Sequence, residues 1–521
     1  MLTRKVLVTA LSLLIALSTA LAQKPEQEFL TLEECIFFAI KNNLDVTAEL
    51  MNPEIARAAV RQAGEKFLPT LSFSYRRENT NSSSYSWIEA SEQISTKYSN
   101  TYGQISQLFP TGGRFYVSLN ANMYDTSQKF LSINPRYGST LNFTFSQPLL
   151  RDFGFKTNRR EILVAQNNRD ISENDFKKVL LDTIYAVEEA YWNLVFSIQA
   201  LEVKRQSLVL AQDLLQKSQK EVEIGTLAPK EILSAQAEVA AREADILQAE
   251  SSVKNNIDRL KTIMNLPDEK DMEIVPADKP GFEKRDIQLD EAYRLARENR
   301  PDLLSSRIRL NNRDLDVSYA WNQLLPSLNL NANYWSPGLS GDQILYLNNN
   351  PFTGVIVGKI PGGSTDALKD AMNFKYQNWS VYFSLDIPLN SFLSRAAYTQ
   401  AKLSREQAQV RRQSLEKKAF LETKTTLRTV QTDYKRVEAY RIARELAEKK
   451  LEAEEAKLRA GLTTHFVVLQ YQRDLANARS AELKAVIDYN MSLSRLDNTL
   501  GISLKTWNIQ LSDVGSQNPP T

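Results

Sequence analysis

The sequence predicts an α+β fold made mostly of long α-helices and built as two structural repeats. Three observations predict it: a duplicated block, segments that alternate apolar and polar residues, and helical stretches with a seven-residue apolar period. Residues 30–71 align without a gap on residues 287–328. Leu32, Glu34, Ala39, Asn42, Asp45, Val60, Leu68, Pro69 and Leu71 recur 257 residues later. Gly225, Gln236, Ala240, Arg259 and Leu260 recur 236 residues later, so the first copy carries 21 extra residues between its two matched blocks. A duplicated unit of this size stacks or closes on itself.

Bulk properties narrow the field. The 521 residues carry a net charge of +2 with 24% charged residues, so no strong field points to nucleic acid. One cysteine, Cys35, excludes an intramolecular disulfide and any cysteine-based metal cluster; on an amphipathic helical stretch it is expected to be a buried structural thiol. Residues 1–22 read as a secretory signal, with Arg4 and Lys5 at the charged start, an apolar run over 6–17, and Ala20, Leu21 and Ala22 at the cleavage site. No cysteine follows that site to carry a lipid anchor, and no other run approaches ~18 apolar residues. The expectation is an exported chain without a membrane-spanning helix.

Each repeat reads helix, strands, very long helix, turn, shorter helix. The first repeat covers 23–266. Its opening helix runs over 31–67, with interruptions expected near 42–45 and Pro53. Pro69 stops it, because proline disfavours helix at the residue before it and donates no backbone bond. Strands are expected over 70–147, a helix over 155–224 (about 100 Å at the usual rise), a stop at Gly225 and a helix over 229–264. A linker at 267–286 carries three prolines. The second repeat, 287–502, repeats the order: helix 289–324, strands within 326–387, helix 392–460, a stop at Gly461 and helix 466–500. A polar tail at 503–521 follows.

The strand segments alternate by two. Asn329, Asn331 and Asn333 oppose Leu328, Leu330 and Tyr334; Ser118, Asn120 and Asn122 oppose Val117, Leu119 and Ala121. Asn142, Thr144 and Ser146 oppose Leu141, Phe143 and Phe145, and Ser380, Ser384 and Asp386 oppose Val381, Phe383 and Leu385. Strands of ~9–11 residues with one apolar and one small-polar face suit a transmembrane barrel with a wet lumen. A soluble sandwich shows the same alternation; Asn and Ser rather than Lys and Glu on the polar face, and the export signal, count against it. Tyr116, Tyr124, Tyr334, Trp335 and Trp379, near strand ends, are expected at the membrane interfaces.

The seven-residue period runs through Val187, Leu194, Leu201, Leu208, Leu215 and Val222. In the second copy it runs through Val430, Val437, Leu451 and Leu458, with Arg444 interrupting. Such seams pack helices side by side. No catalytic constellation accompanies them. There is no phosphate-binding loop and no HExxH, and the one histidine, His465, is expected as an exposed residue just past the Gly461 turn. The charges between Glu452 and Lys457 read as a solvated face. No cofactor and no metal is expected.

On these features the chain resembles the outer-membrane efflux protein family, the TolC-like channels. The carrying residues are the Leu68-Pro69 and Leu325-Pro326 exits from helix to strand, the exits at 147–150 and 387–389, and the glycine stops at Gly225 and Gly461 followed by Gln236 and Gln472. The resemblance covers nearly all of the mature chain. It implies a homotrimer in outer-membrane lipid, with four strands from each chain closing one barrel and the helices continuing as a hollow periplasmic α-barrel. An equatorial belt would come from about 268–285 and 503–516. Partners would be a periplasmic adaptor (membrane fusion) protein and an inner-membrane pump of RND, MFS or ABC type. Residues 71–75 also alternate and 103–109 could pair with 114–123, leaving open whether the first copy supplies four strands or one bent strand with an accessory hairpin.

The same resemblance implies that the helix-turn-helix tips close the entrance and dock the adaptor. They map to Ile224, Gly225, Thr226 and Leu227, and to Arg459, Ala460, Gly461, Leu462 and Thr463. Glu231 matches an acidic position that would line the entrance. Val467 and Gln470 stand where the family often has an acidic ring, so no such ring is carried over. Arg459 could pair with an acid or favour the helix C-terminus. Asn120, Asn142, Asn329, Asn331, Asn333 and Asp386 would face the barrel lumen. The expected function is the exit duct of a tripartite efflux system; a type I protein-secretion conduit would use the same architecture. An autonomous porin would leave the long helices without a role, and a structural coiled coil would leave the strands without one.

Overall fold

The computed structural model describes residues 27–84, 92–225, 228–266 and 273–510. The signal expected at 1–22, part of the linker and most of the tail therefore lie outside the described residues. The chain divides into two compact units, residues 55–170 with 308–411, and the remainder.

The remainder begins with β1 (Gln27–Leu30), paired in parallel with β6 (Glu273–Pro276). Helix α1 (Leu32–Asn42) opens on a capping box, where the Glu34 amide donates to Thr31 Oγ1 (3.2 Å) and the Thr31 amide to Glu34 Oε2 (2.8 Å). Asn43 ends α1, and its Oδ1 accepts the amides of Asp45 and Val46 as α2 (Leu44–Glu65) starts. The expected break at Pro53 does not occur. Pro53 is buried and α2 runs through it, giving up one backbone bond rather than ending. Cys35 is buried with Ile36 and Ala39 against the long helix α3 (Arg160–Glu223) and against α4 (Lys230–Met264).

A second core joins α5 (Leu289–Asn299), α8 (Ala396–Arg459) and α9 (His465–Leu500) through Ala292, Ala296, Val430, Val437 and Tyr489. A third joins α3, α4, α8 and α9 through Ala211, Leu214, Ala235, Leu451 and Val468. The heptad seam on α3 drifts. Val187, Leu194 and Leu201 are buried, but Leu208, Leu215 and Val222 are half-buried, while Ser207, Ala211, Leu214 and Ser218 take the core positions. A helix with 3.6 residues per turn rotates away from a strict seven-residue stripe.

The other unit is built on an antiparallel sheet. Its strands are β2 (Thr70–Ser83), β3 (Gln93–Leu108), β4 (Arg114–Thr126), β5 (Ile133–Pro148), β7 (Ser327–Tyr346), β8 (Ile356–Ile360) and β9 (Asn378–Asp386). The order is β2-β3-β4-β5-β7, with β9 on the first half of β7 and β8 on its far end. The first copy therefore supplies four full strands; with β7 and β9 the sheet has six long strands, where the resemblance implied four, and the five-residue β8 is a short seventh. The β3–β4 hairpin is no accessory: β3 pairs with β2 from Thr70↔Ser106 to Ser83↔Gln93, and β4 pairs with β5 from Arg114↔Ser146 to Tyr124↔Arg136.

Beneath the sheet in the same unit, the ends of α2, α3, α6 (Pro301–Asn322) and α8 lie side by side. Lys66 pairs with Glu161, Arg160 with Asp316, and Arg405 with Asp314. A short helix, α7 (Ser364–Met372), lies on the sheet near β7 and β5.

Candidate channel wall and entrance tips

Register and alternation sort the wall residues onto two faces. Tyr334 stands opposite Phe143 and Trp379, Phe143 opposite Val117, Val117 opposite Ile105 and Ile105 opposite Leu71. With their i±2 neighbours these form one apolar face. Toward the edge strands β2 and β9 it is open to the surroundings: Leu71 is 78% exposed, Phe73 72% and Trp379 74%. A sandwich would cover such a face with a second sheet; a membrane wall presents it to lipid.

The opposite face gathers every wall residue expected from the sequence. Asn120, Asn142, Asn329, Asn331, Asn333 and Asp386 all fall on it. The amides bond across and along the strands. Asn331 Nδ2 donates to Ser384 Oγ (3.2 Å), Asn333 Nδ2 to Ser380 Oγ (3.3 Å), Asn142 Nδ2 to Thr144 Oγ1 (3.2 Å) and Asn329 Nδ2 to Ser327 Oγ (3.0 Å). Uncharged amides and hydroxyls make up most of these rows and leave the face wettable, with Arg114, Arg136 and Asp386 among its charged members.

Two groups of residues were misplaced or missed. Among the aromatics assigned to membrane interfaces, Tyr334 and Trp379 stand on the apolar face, but Tyr116, Tyr124 and Trp335 fall on the polar one. Their place near strand ends suggested the interface; their parity along the strand decides the face. Tyr98, Asn100 and Tyr102 of β3 join the polar face opposite Tyr124, Asn122 and Asn120. Small and polar residues occupy both faces of that segment, so its sequence shows little contrast.

Helix α7 seats on the apolar face through small residues. A side chain at Gly338 would place a Cβ 1.9 Å from the Ala367 carbonyl oxygen. Phe374, just beyond α7, stacks on Phe143 (6.3 Å between ring centroids) and lies tilted against Tyr334 (5.9 Å).

The tips end on left-handed glycines, φ +79° at Gly225 and +71° at Gly461. The Gly461 amide donates to the Leu458 carbonyl (2.9 Å) and the Leu462 amide to the Lys457 carbonyl (3.0 Å), the paired bonds of a Schellman stop. Ile224, Arg459, Ala460 and Leu462 are exposed, and Thr463 is half-buried. Thr226 and Leu227 lie outside the described residues. The Thr463 hydroxyl, then Lys457, hold the Glu454 carboxyl below its usual range. Glu231 is half-buried in the first turn of α4, where the helix dipole favours an acid whatever its further role.

His465 corrects the sequence reading. It is only 6% exposed, with Nε2 2.7 Å from Glu221 Oε2 and Nδ1 3.4 Å from Ser218 Oγ. As the first residue of α9 it packs side-on against α3, so closeness to a turn in sequence does not put it on the surface.

Comparison with known proteins agrees with this arrangement. The family model for outer membrane efflux proteins matches residues 114–266 and 292–502. The chain is similar in structure to the outer-membrane channel OprN (TM-score 0.64, 17% identity, 90% of this chain and 89% of that one). It is also similar to the Campylobacter jejuni CmeC outer membrane channel (0.62, 16%, 92% and 90%) and to the open state of the Neisseria gonorrhoeae MtrE outer membrane channel (0.60, 18%, 90% and 88%). At these identities the likeness speaks for the fold. No curated protein matches. With both repeats matched over more than half of its length, the chain belongs to the outer membrane efflux protein family, whose members are outer-membrane channels that reach into the periplasm.

Proposed function

We propose that three copies of the chain close one conduit through the outer membrane, and that its glycine-turn tips dock a periplasmic adaptor fed by an inner-membrane pump. The work is then passage rather than chemistry. The observation that carries this reading is the sheet itself, with an exposed apolar face, an Asn and Ser face behind it, and edges at β2 and β9 that lipid would not tolerate unpaired. Family membership supports an efflux duct. In this reading Asn120, Asn142, Asn329, Asn331, Asn333 and Asp386 line the lumen, and Glu231 lines the entrance. Ile224, Gly225, Thr226, Leu227, Arg459, Ala460, Gly461, Leu462 and Thr463 form the docking tips.

Pump class is tested by the company the protein keeps. An RND or MFS pump recovered with the adaptor supports efflux of small molecules. An ABC pump with a protein cargo moves the reading to type I secretion. The direct assay is accumulation of a fluorescent efflux substrate in cells lacking the chain: restoration by the wild type, and not by a tip variant that still reaches the membrane, is the expected result.

A further inference from the structure

We infer that the barrel of this protein has eighteen strands, six from each of three copies, with β2 of one copy pairing with β9 of the next. The inference rests on the trimer proposed above and fixes what that trimer builds. Six strands are long enough to span, at 14, 16, 13, 16, 20 and 9 residues for β2, β3, β4, β5, β7 and β9, whereas β8 has 5. About 9–11 residues are needed. The additional hairpin, β3–β4, sits inside the ladder between β2 and β5, so it cannot leave the wall without breaking pairing on both sides. Its outward residues Phe115, Val117, Leu119 and Met123 continue the apolar face.

The edges select a second copy as the occupant. Every pairing along the path is antiparallel, so β2 and β9 run in opposite directions and two copies meet with the antiparallel sense that closes a barrel. Both edges alternate in the same way, Leu71 and Phe73 against Ser72 and Ser74, Val381 and Phe383 against Ser380 and Ser384. Pairing them keeps apolar with apolar and polar with polar. One chain cannot close alone, since about eight strands make the smallest such barrel.

The helices of the same unit set a matching width. Four helix ends lie side by side in the order of α2, α3, α6 and α8, attached to β2, β5, β7 and β9. Helices packed about 9 Å apart cover roughly 36 Å. Six strands about 4.8 Å apart and tilted about 40° cover roughly 38 Å, and four would cover only roughly 25 Å. The outlet would then be about one and a half times as wide as a twelve-stranded barrel, in the range that leaves an aqueous channel. That width accommodates the bulky Tyr98, Tyr102, Tyr116 and Tyr124 on the polar face.

The test is electron cryo-microscopy of the full-length protein in lipid nanodiscs, counting strands in cross-section. Eighteen strands in a trimer is the expected result. A trimer with twelve, and the hairpin outside the wall, overturns the inference and leaves the proposed conduit standing; a particle that is not a trimer removes both. An independent measurement uses Leu119→Cys and Asn120→Cys in a Cys35→Ser background, in cells treated with a charged thiol reagent. The inference requires strong protection at 119 and labelling at 120. Equal labelling at both positions contradicts it.

Discussion

His465 Nε2 lies 2.7 Å from Glu221 Oε2, which ties the first residue of α9 to the last turn of α3 and so links the tips of the two repeats. His465→Ala removes this bond and the contact with Ser218. It should cost about 1–2 kcal/mol locally. Hydrogen exchange should quicken over 214–223 and 465–469 while the sheet keeps its protection. Unchanged exchange in both segments would show that the contact does not hold the tips.

A second prediction concerns pH. Glu188 is buried in α3, where Trp507 Nε1 donates to its Oε1 (2.9 Å). Burial pushes its carboxyl up to about 7, against the bonds from Trp507 and Ser494 that favour ionisation and beside the charge of Asp497 that opposes it. Between its usual value near 4.5 and about 7 the folded chain binds the extra proton. Stability therefore falls as pH rises through that window, by about 3 kcal/mol from this group, and is level beyond either end. Glu188→Gln should flatten the fall and leave the variant the more stable at pH 8. Denaturation midpoints from pH 4 to 8 check this, and parallel curves for the two proteins would refute it.

Gly338 offers a contrast within the wall. An added Cβ meets the Ala367 carbonyl oxygen at 1.9 Å, so Gly338→Ala must lift α7 from the sheet, at about 1–3 kcal/mol. Gly103 also lies in the sheet, but nothing stands within 4 Å of its added Cβ. Gly103→Ala should change stability by less than about 0.5 kcal/mol. Equal thermal shifts for the two variants would contradict the seating of α7.

Gly461 separates folding from docking. Its added Cβ meets nothing within 4 Å, and the strain of a substitution comes only from its positive φ. Gly461→Ala should cost about 1 kcal/mol. Gly461→Trp should in addition weaken recovery of the adaptor while trimer yield is unchanged. Normal efflux by the tryptophan variant would count against the tip as a docking site.

Much of this architecture was legible in the residues themselves. The Pro69 and Pro326 exits and the glycine stops stand out because proline and glycine act locally, and the Asn329-Asn331-Asn333 alternation because a two-residue period maps directly to faces. What escaped detection depends on pairing or packing. In β3, Ser99, Thr101 and Gly103 face one way and Tyr98, Asn100 and Tyr102 the other, so the strand is identified by its neighbours rather than by contrast. Helix α7 is nine residues long and buries only Ala367 and Ala371, too small a stripe to stand out. The burial of His465 arises from a helix more than two hundred residues away in sequence. The tips are legible only through the family resemblance, and the lumen residues through the two-residue parity of their strands.

The most direct test of the conduit is to crosslink the membrane-embedded protein mildly, extract it, and determine its stoichiometry and bound partners by native mass spectrometry. A trimer carrying a periplasmic adaptor is expected, with the adaptor lost and the trimer retained in the Gly461→Trp variant. A monomer, or a trimer from which no adaptor is recovered under any crosslinking condition, would contradict the conduit.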